Sequence, residues 1–434
     1  MIANTRTSNT PWCRLESSTW AILDKVFEVQ KGELRACLQG FLVLFLIVAA
    51  HTMLETARDT LFLVHHPPAR LSLMYVALAV LTFFANAAVL AMTRRLGHRR
   101  ALLWTLVIAL WASIALCFVV RDGRGAYALY LFSGLPALLL CPRFWLLAAH
   151  LFTLAQGRRL FSLVAAGGIA GGVFGAGVAA YVLRSQPVTV LLPLAAGCFA
   201  LASLTVATVR DDQDCVQPLP TRGREPHRPP EMVVSGSNMY AARVVAMVVL
   251  SSAALLVVDY LFKSTIASRI PASRLGGFFA HFYAVMNFVS FGVQILLARP
   301  ALRRLGVIGA AGIMPFLLIG GGLAAFLGGG TFVVVLGLKA VDAGLRYSLN
   351  RVAIELLYLP VPERVRDRTK GVFECVVVRV VQACTGGLLY LLAVRTLASP
   401  RILAVLVVVL SLAWAWLVFS LRRPYLDLLR RRNA

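Results

Sequence analysis

Twelve apolar stretches, each long enough to cross a bilayer, limit what this chain can fold into more than any other feature of its sequence. A hydrocarbon core about 30 Å thick takes about 20 apolar residues in a helix. Backbone groups in lipid must find their partners inside the spanning element, so such runs become helices. The stretches cover residues 36–64, 71–92, 101–120, 126–155, 160–183 and 188–208, then 240–262, 275–298, 306–327, 331–358, 370–394 and 402–421. Hydrophobic residues make up 59% of the 434 and charged residues only 14%, where a soluble domain has about 25% charged. Too little polar surface remains for solution, which excludes a soluble enzyme, a disordered protein and a secreted disulfide scaffold.

A polar interval separates two groups of six. Residues 210–238 hold Asp211, Asp212 and Asp214 and then Pro218, Pro220, Pro226, Pro229 and Pro230, the composition of a flexible linker. It divides a half at 36–209 from a half at 239–421. Outside them lie a segment at 1–35 and a basic tail at 422–434. Trp20, Leu23 and Phe27 share one side of residues 17–30, as in a helix lying on a membrane surface, and the tail suits an anchor on anionic lipid. The polar start is expected to carry no cleavable signal peptide.

Lys and Arg collect in cytoplasmic loops. With both termini inside, the cytoplasmic segments carry 27 of the 43 bases and the opposite side 8. Both termini are therefore expected in the cytoplasm. The net charge of +24 then follows from topology, and no nucleic-acid partner is implied. Without a Ser-rich, Arg-bearing transit segment, a bacterial inner (plasma) membrane is the expected location.

The halves carry a common mark. Arg94-Arg95-Leu96-Gly97 follows the second stretch and Arg303-Arg304-Leu305-Gly306 follows the eighth, 209 residues on. The expected fold class is an all-α membrane protein with twelve transmembrane helices in two six-helix pseudo-repeats. That plan resembles the major facilitator transporters, and the run from Thr93 to Arg100 looks like their loop motif between spans 2 and 3. The resemblance implies a site near the midplane, between the halves.

Ionisable residues inside membrane spans are costly and usually face water. Span 1 holds Glu55, Arg58 and Asp59; span 4 holds Arg143; span 7 ends with Asp259 and Lys263. Span 10 holds Lys339, Asp342, Arg346, Arg351 and Glu355, and span 11 holds Lys370, Glu374 and Arg379. Most pair at helical spacing: Glu55 with Arg58, Asp259 with Lys263, Lys339 with Asp342, Asp342 with Arg346, Arg351 with Glu355 and Lys370 with Glu374. Self-neutralisation is the plain alternative role for each pair. Eight bases against six acids leave a surplus of cations, with Arg143 and Arg379 lacking an acid at helical spacing. A cationic cavity favours an anion, and guanidinium suits carboxylate or phosphate.

Other motifs read as structural. Gly167, Gly171 and Gly175 recur every four residues, the small-residue packing face of a membrane helix; no Gly-Lys-Ser/Thr follows, so a phosphate loop is not expected. The eight cysteines show no metal spacing and most lie in apolar runs. His51, His65, His66, His150 and His281 have no second ligand at metal spacing, although His51 or His150 could relay protons. No metal and no cofactor are expected. With no nucleophile–base pair, neither is an enzyme.

The charged spans bring a narrower likeness. Arg346-Tyr347-Ser348-Leu349, Glu355-Leu356-Leu357-Tyr358-Leu359-Pro360, then Pro362-Glu363-Arg364-Val365, Lys370, Glu374, Arg379 and Gly386-Gly387 resemble the ATP/ADP translocase family of nucleotide transporters. Asp259 with Lys263 four residues on, and the run from Phe279 through Arg304, Gly306 and Pro315, are similar to it as well. The family's Lys-Asp pair in span 1 looks like Arg58-Asp59 here, and its basic pair in span 5 like Arg158-Arg159. Two departures stand out: the span 1 Lys is Arg, and Gln156 stands where an acid is expected.

The resemblance implies exchange or import of a phosphorylated nucleotide. Arg58, Lys263 and Lys370 would contact phosphate, and Asp59, Asp259 and Glu374 would be their partners or gates. The candidate substrate-binding set is Arg58, Asp59, Arg143, Asp259, Lys263, Arg346, Glu355, Lys370, Glu374 and Arg379. The expected partners are the lipid bilayer and a small anion such as a nucleotide, and the sequence leaves the oligomeric state open, a monomer included. A major facilitator carrier for another organic anion, drug or lipid is the second reading, and a non-transporting membrane protein the third.

Overall fold

The computed structural model describes residues 33–120, 123–152, 154–209, 231–346, 348–358, 360–361 and 376–433. The first half contains α1 (Leu34–His65), α2 (Ala69–Leu96), α3 (His98–Val119), α4 (Gly123–Leu151), α5 (Leu154–Val182) and α6 (Leu191–Ala207). The second contains α7 (Glu231–Arg269), α8 (Ala272–Gly292), α9 (Ala298–Leu327), α10 (Phe332–Arg346), α11 (Leu349–Leu357), α12 (Val378–Val394) and α13 (Pro400–Ser420), with the tail helix α14 (Arg422–Asn433) behind it. There is no strand among the described residues.

Ten helices are long and apolar enough to span a membrane, and α12 is a shorter apolar one. The tenth expected crossing is broken rather than continuous. The stretch expected at 331–358 divides into α10 and α11 at Ser348, whose φ of −108° and ψ of −106° are not helical. Helix α7 begins at Glu231, so its start lies inside the interval expected as linker. The amphipathic segment at 17–30 and the Asp- and Pro-rich run at 210–230 lie outside the described residues.

The repeat of Arg-Arg-Leu-Gly has a backbone counterpart. Gly97 ends α2 at φ 81°, ψ 168°, and Gly306 kinks α9 at φ 68°, ψ −179°. This region is open essentially to glycine alone. The same residue makes the same break at matching places in the two halves.

Each half has its own core. One apolar cluster is built from the first half plus Ala280; the other is built from the second half, with Phe62, Leu63, Leu71, Met74, Tyr75 and Tyr130 of the first half joining it. All six lie toward the face opposite the one at which α1 begins, so the halves are fused at that far face. The face at which α1 begins is termed the entry face. Close backbone crossings hold the arrangement. A Cβ added at Gly167, Gly171 or Gly175 would meet the carbonyl oxygens of Phe41, Phe45 and Ala49, so α5 lies backbone to backbone on α1, as the glycine spacing suggests. Gly386 of α12 does the same across the halves, where a Cβ would come within 2.9 Å of Ser72 O in α2.

Candidate functional site

Helical periodicity puts Glu55, Arg58 and Asp59 on one side of α1, and Asp259 and Lys263 on one side of α7. Packing of α1 and α7 with α10 then turns separate local pairs into a continuous ladder. Arg58 Nη2 lies 3.1 Å from Glu55 Oε1 and its Nε 2.8 Å from Asp59 Oδ1. Lys263 Nζ bridges Asp59 Oδ1 and Asp259 Oδ2, at 3.0 Å each. Lys339 Nζ bridges Asp259 Oδ1 at 2.7 Å and Asp342 Oδ2 at 2.9 Å, and Arg346 Nη2 closes the series 2.6 Å from Asp342 Oδ1.

Among the described residues three links of the ladder cross between the halves, beside a hydrogen bond from Asn287 Nδ2 to Gly172 O at 3.2 Å. They are the Lys263–Asp59 ion pair, the Tyr283 hydroxyl donating to Asp59 Oδ2 at 2.5 Å, and the Tyr75 hydroxyl donating to Asp259 Oδ2 at 2.8 Å. Tyr130 underlies the junction, with the Arg58 guanidinium 4.9 Å and Lys263 Nζ 5.9 Å from its ring centre, inside cation–π range. Buried charges persist only when paired and hydrogen-bonded, and every charge in this ladder is.

Exposure along the ladder is graded. The side chains of Asp59, Lys263 and Asp342 are 0%, 3% and 1% exposed, whereas Glu55 is 32%, Arg346 31%, Arg351 58% and Glu355 40% exposed. In both α1 and the α10–α11 crossing, the accessible charges lie nearer the entry face than the buried ones. Charged groups avoid lipid, and on both crossings exposure rises from the buried junction toward the entry face. The break between α10 and α11 falls just beyond Arg346, the kind of discontinuity that lines such sites in transporters.

The expected within-helix pairs form geometrically at Glu55–Arg58, Asp259–Lys263, Lys339–Asp342, Asp342–Arg346 and Arg351–Glu355. Two expected cations have hydrogen-bond partners outside the residues of the ladder. Arg143 reaches from α4 to Asn86 Oδ1 of α2 at 3.1 Å, and Arg379 Nη1 donates to Gln382 Oε1 on its own helix at 2.7 Å. Glu355 pairs with Arg351 at 2.8 Å, away from the buried junction. Lys370 and Glu374 lie outside the described residues, as do the side chains of Arg158 and Arg159. Among the described residues the ladder holds four bases and four acids. Tyr75, Tyr130 and Tyr283 were not among the expected residues; each is one aromatic among many in the sequence, and only the packing of helices distant in the chain gives it a charged partner.

No protein-family model matches the chain, and no curated protein sequence matches it. Solved structures do. The nucleoside transporter NupG matches with a TM-score of 0.62 at 14% identity, covering 90% of this chain and 98% of that one. A D-xylose–proton symporter matches with a TM-score of 0.64 at 13% identity over 88% of this chain and 97% of the other. A bacterial homologue of the human lysosomal transporter Spinster, in an inward-facing and unoccupied conformation, matches with a TM-score of 0.57 at 16% identity over 92% and 99%. The chain shares their major facilitator fold.

Proposed function

We propose that this protein is an alternating-access membrane transporter whose substrate is a nucleotide or a related phosphorylated anion. The observation that carries the reading is the ladder itself: Arg58 from one half and Lys263, Lys339 and Arg346 from the other meet at one junction between the halves, with the more exposed Glu55 and Arg346 on its entry-face side. Cations from both halves would close on an anion's phosphates, while the carboxylates that hold them in its absence let the anion leave again. The resemblance to ATP/ADP translocases at Asp259–Lys263 and from Arg346 onward supports the phosphorylated class. With both termini cytoplasmic, as the distribution of bases argues, the entry face is the cytoplasmic side of a bacterial inner membrane.

The test is uptake of labelled ATP and ADP into proteoliposomes, with AMP, adenosine and a sugar as competitors. ATP or ADP should enter and compete best, and Lys263→Ala should reduce uptake at least tenfold while the protein stays folded. Adenosine competing as well as ATP would remove the phosphate from the reading, and exclusion of every nucleotide by folded protein would overturn it.

A further inference from the structure

The ladder is electrically balanced. Among the described residues Arg58, Lys263, Lys339 and Arg346 are matched by Glu55, Asp59, Asp259 and Asp342. A neutral, largely buried junction is a poor host for an anion, because an uncompensated charge in a low-dielectric site is costly. Entry of a proton along with the anion removes the difficulty, provided that one carboxylate can take it.

The four carboxylates differ in how firmly they are held. Asp59 is fully buried and accepts from Arg58, Lys263 and Tyr283. Asp259 accepts from Lys263, Lys339 and Tyr75, and Asp342 from Lys339 and, through two nitrogens, Arg346. Glu55 has a single close bond, 3.1 Å to Arg58 Nη2, and at 32% exposed it is the most accessible of the four. It has the least to lose on taking a proton and the clearest path to water.

A second observation lies one turn toward the entry face. His51 Nε2 is 3.9 Å from Glu55 Oε2, a separation one water can bridge. Its Nδ1 is buried and makes no hydrogen bond among the described residues. Other groups near Glu55 are Arg58 on its own helix and Tyr283 on α8; Tyr130 on α4 and Lys263 on α7 lie beyond them, against Arg58 and Asp59. Helices α5 and α6, also packed on α1, bring no charged side chain between 160 and 182 or between 191 and 207.

We propose that Glu55 is a proton-binding site, served by His51, and that this carrier moves its anion together with a proton. The proposal rests on the transport reading above. A proton from the water at the entry face passes to His51 Nε2 or directly to a Glu55 oxygen. Glu55 becomes neutral, Arg58 Nη2 loses that acceptor while its Nε keeps Asp59, and the ladder carries one positive charge. The released N–H then binds the substrate anion, and departure of the anion returns the proton.

Two measurements test it. In proteoliposomes with the membrane potential clamped at zero, one unit of pH gradient should concentrate labelled ATP about tenfold per proton moved. In Glu55→Gln the final ratio should fall to about one, and in His51→Gln accumulation should slow while its end point stays above one. An ATP distribution indifferent to the pH gradient in the wild type overturns the proposal. If no nucleotide moves at all, the transport reading fails on its own account and the second measurement decides. The infrared difference between pH 5 and pH 8 on the full chain in nanodiscs should contain a protonated-carboxyl band that Glu55→Gln, melting normally, lacks. A band that survives Glu55→Gln places the proton elsewhere and overturns the assignment.

Discussion

Asp59→Asn is the substitution with the largest calculable effect on the far-face seal. It preserves shape and removes one charge from the carboxylate that Arg58, Lys263 and Tyr283 all address. The Arg58 bond lies within α1 and persists when the halves separate; the Lys263 and Tyr283 bonds cross between them. For Lys263 at 3.0 Å, Coulomb's law with an effective dielectric constant of about 20 gives a gross attraction of about 5.5 kcal/mol. Loss of one partner from a buried pair costs about 3–5 kcal/mol net, and Lys263 retains Asp259. Taking about 3 kcal/mol as specific to the sealed state, the equilibrium between sealed and open far faces shifts about a hundredfold or more. Spin labels at Val64, near the far end of α1, and at Ser268, near the far end of α7, report this separation as a distance distribution. The substitution should add a longer component that dominates the wild-type one. An unchanged distribution in a folded Asp59→Asn protein would refute the idea that this junction holds the halves together.

Three further outcomes follow from the same geometry. Tyr283→Phe deletes only the donor to Asp59 Oδ2; a hydrogen bond to a charged group contributes about 1.5–3 kcal/mol, so the same spin-label pair should show a smaller shift in the same direction. Gly171→Ala drives a Cβ into the carbonyl of Phe45, whereas nothing lies within 4 Å of one added at Gly177; the first should lower the melting temperature by the equivalent of about 1–3 kcal/mol and the second should not. Gly97→Ala and Gly306→Ala, placed in the same backbone region, should each destabilise by about 1–3 kcal/mol, and similar losses at the two sites would show that the repeated turn carries the same strain in both halves.

The scaffold was largely legible because bilayer physics leaves few options for twelve apolar stretches. What the pattern missed is instructive. The stretch at 331–358 reads as one helix by length, yet the backbone breaks at Ser348, and no proline or glycine marks that position. The charged pairs at three- and four-residue spacing are local and could be read along a single helix. Their joining into one ladder depends on α1, α7 and α10 meeting in space, so Asp59–Lys263 and Asp259–Lys339 are invisible to spacing. The hydrogen bonds of Arg143 to Asn86 and of Arg379 to Gln382 are equally invisible to a count of charges by span.

Counterflow tests the transport mechanism most directly. Proteoliposomes loaded with millimolar unlabelled ATP are diluted into a trace of labelled ATP, with no pH gradient and no membrane potential. A carrier that presents one site alternately to each side accumulates label transiently above its equilibrium level, then releases it, and Asp59→Asn should alter the height and timing of that peak. A monotonic approach to equilibrium, or no entry of label into vesicles holding folded protein, would contradict the account.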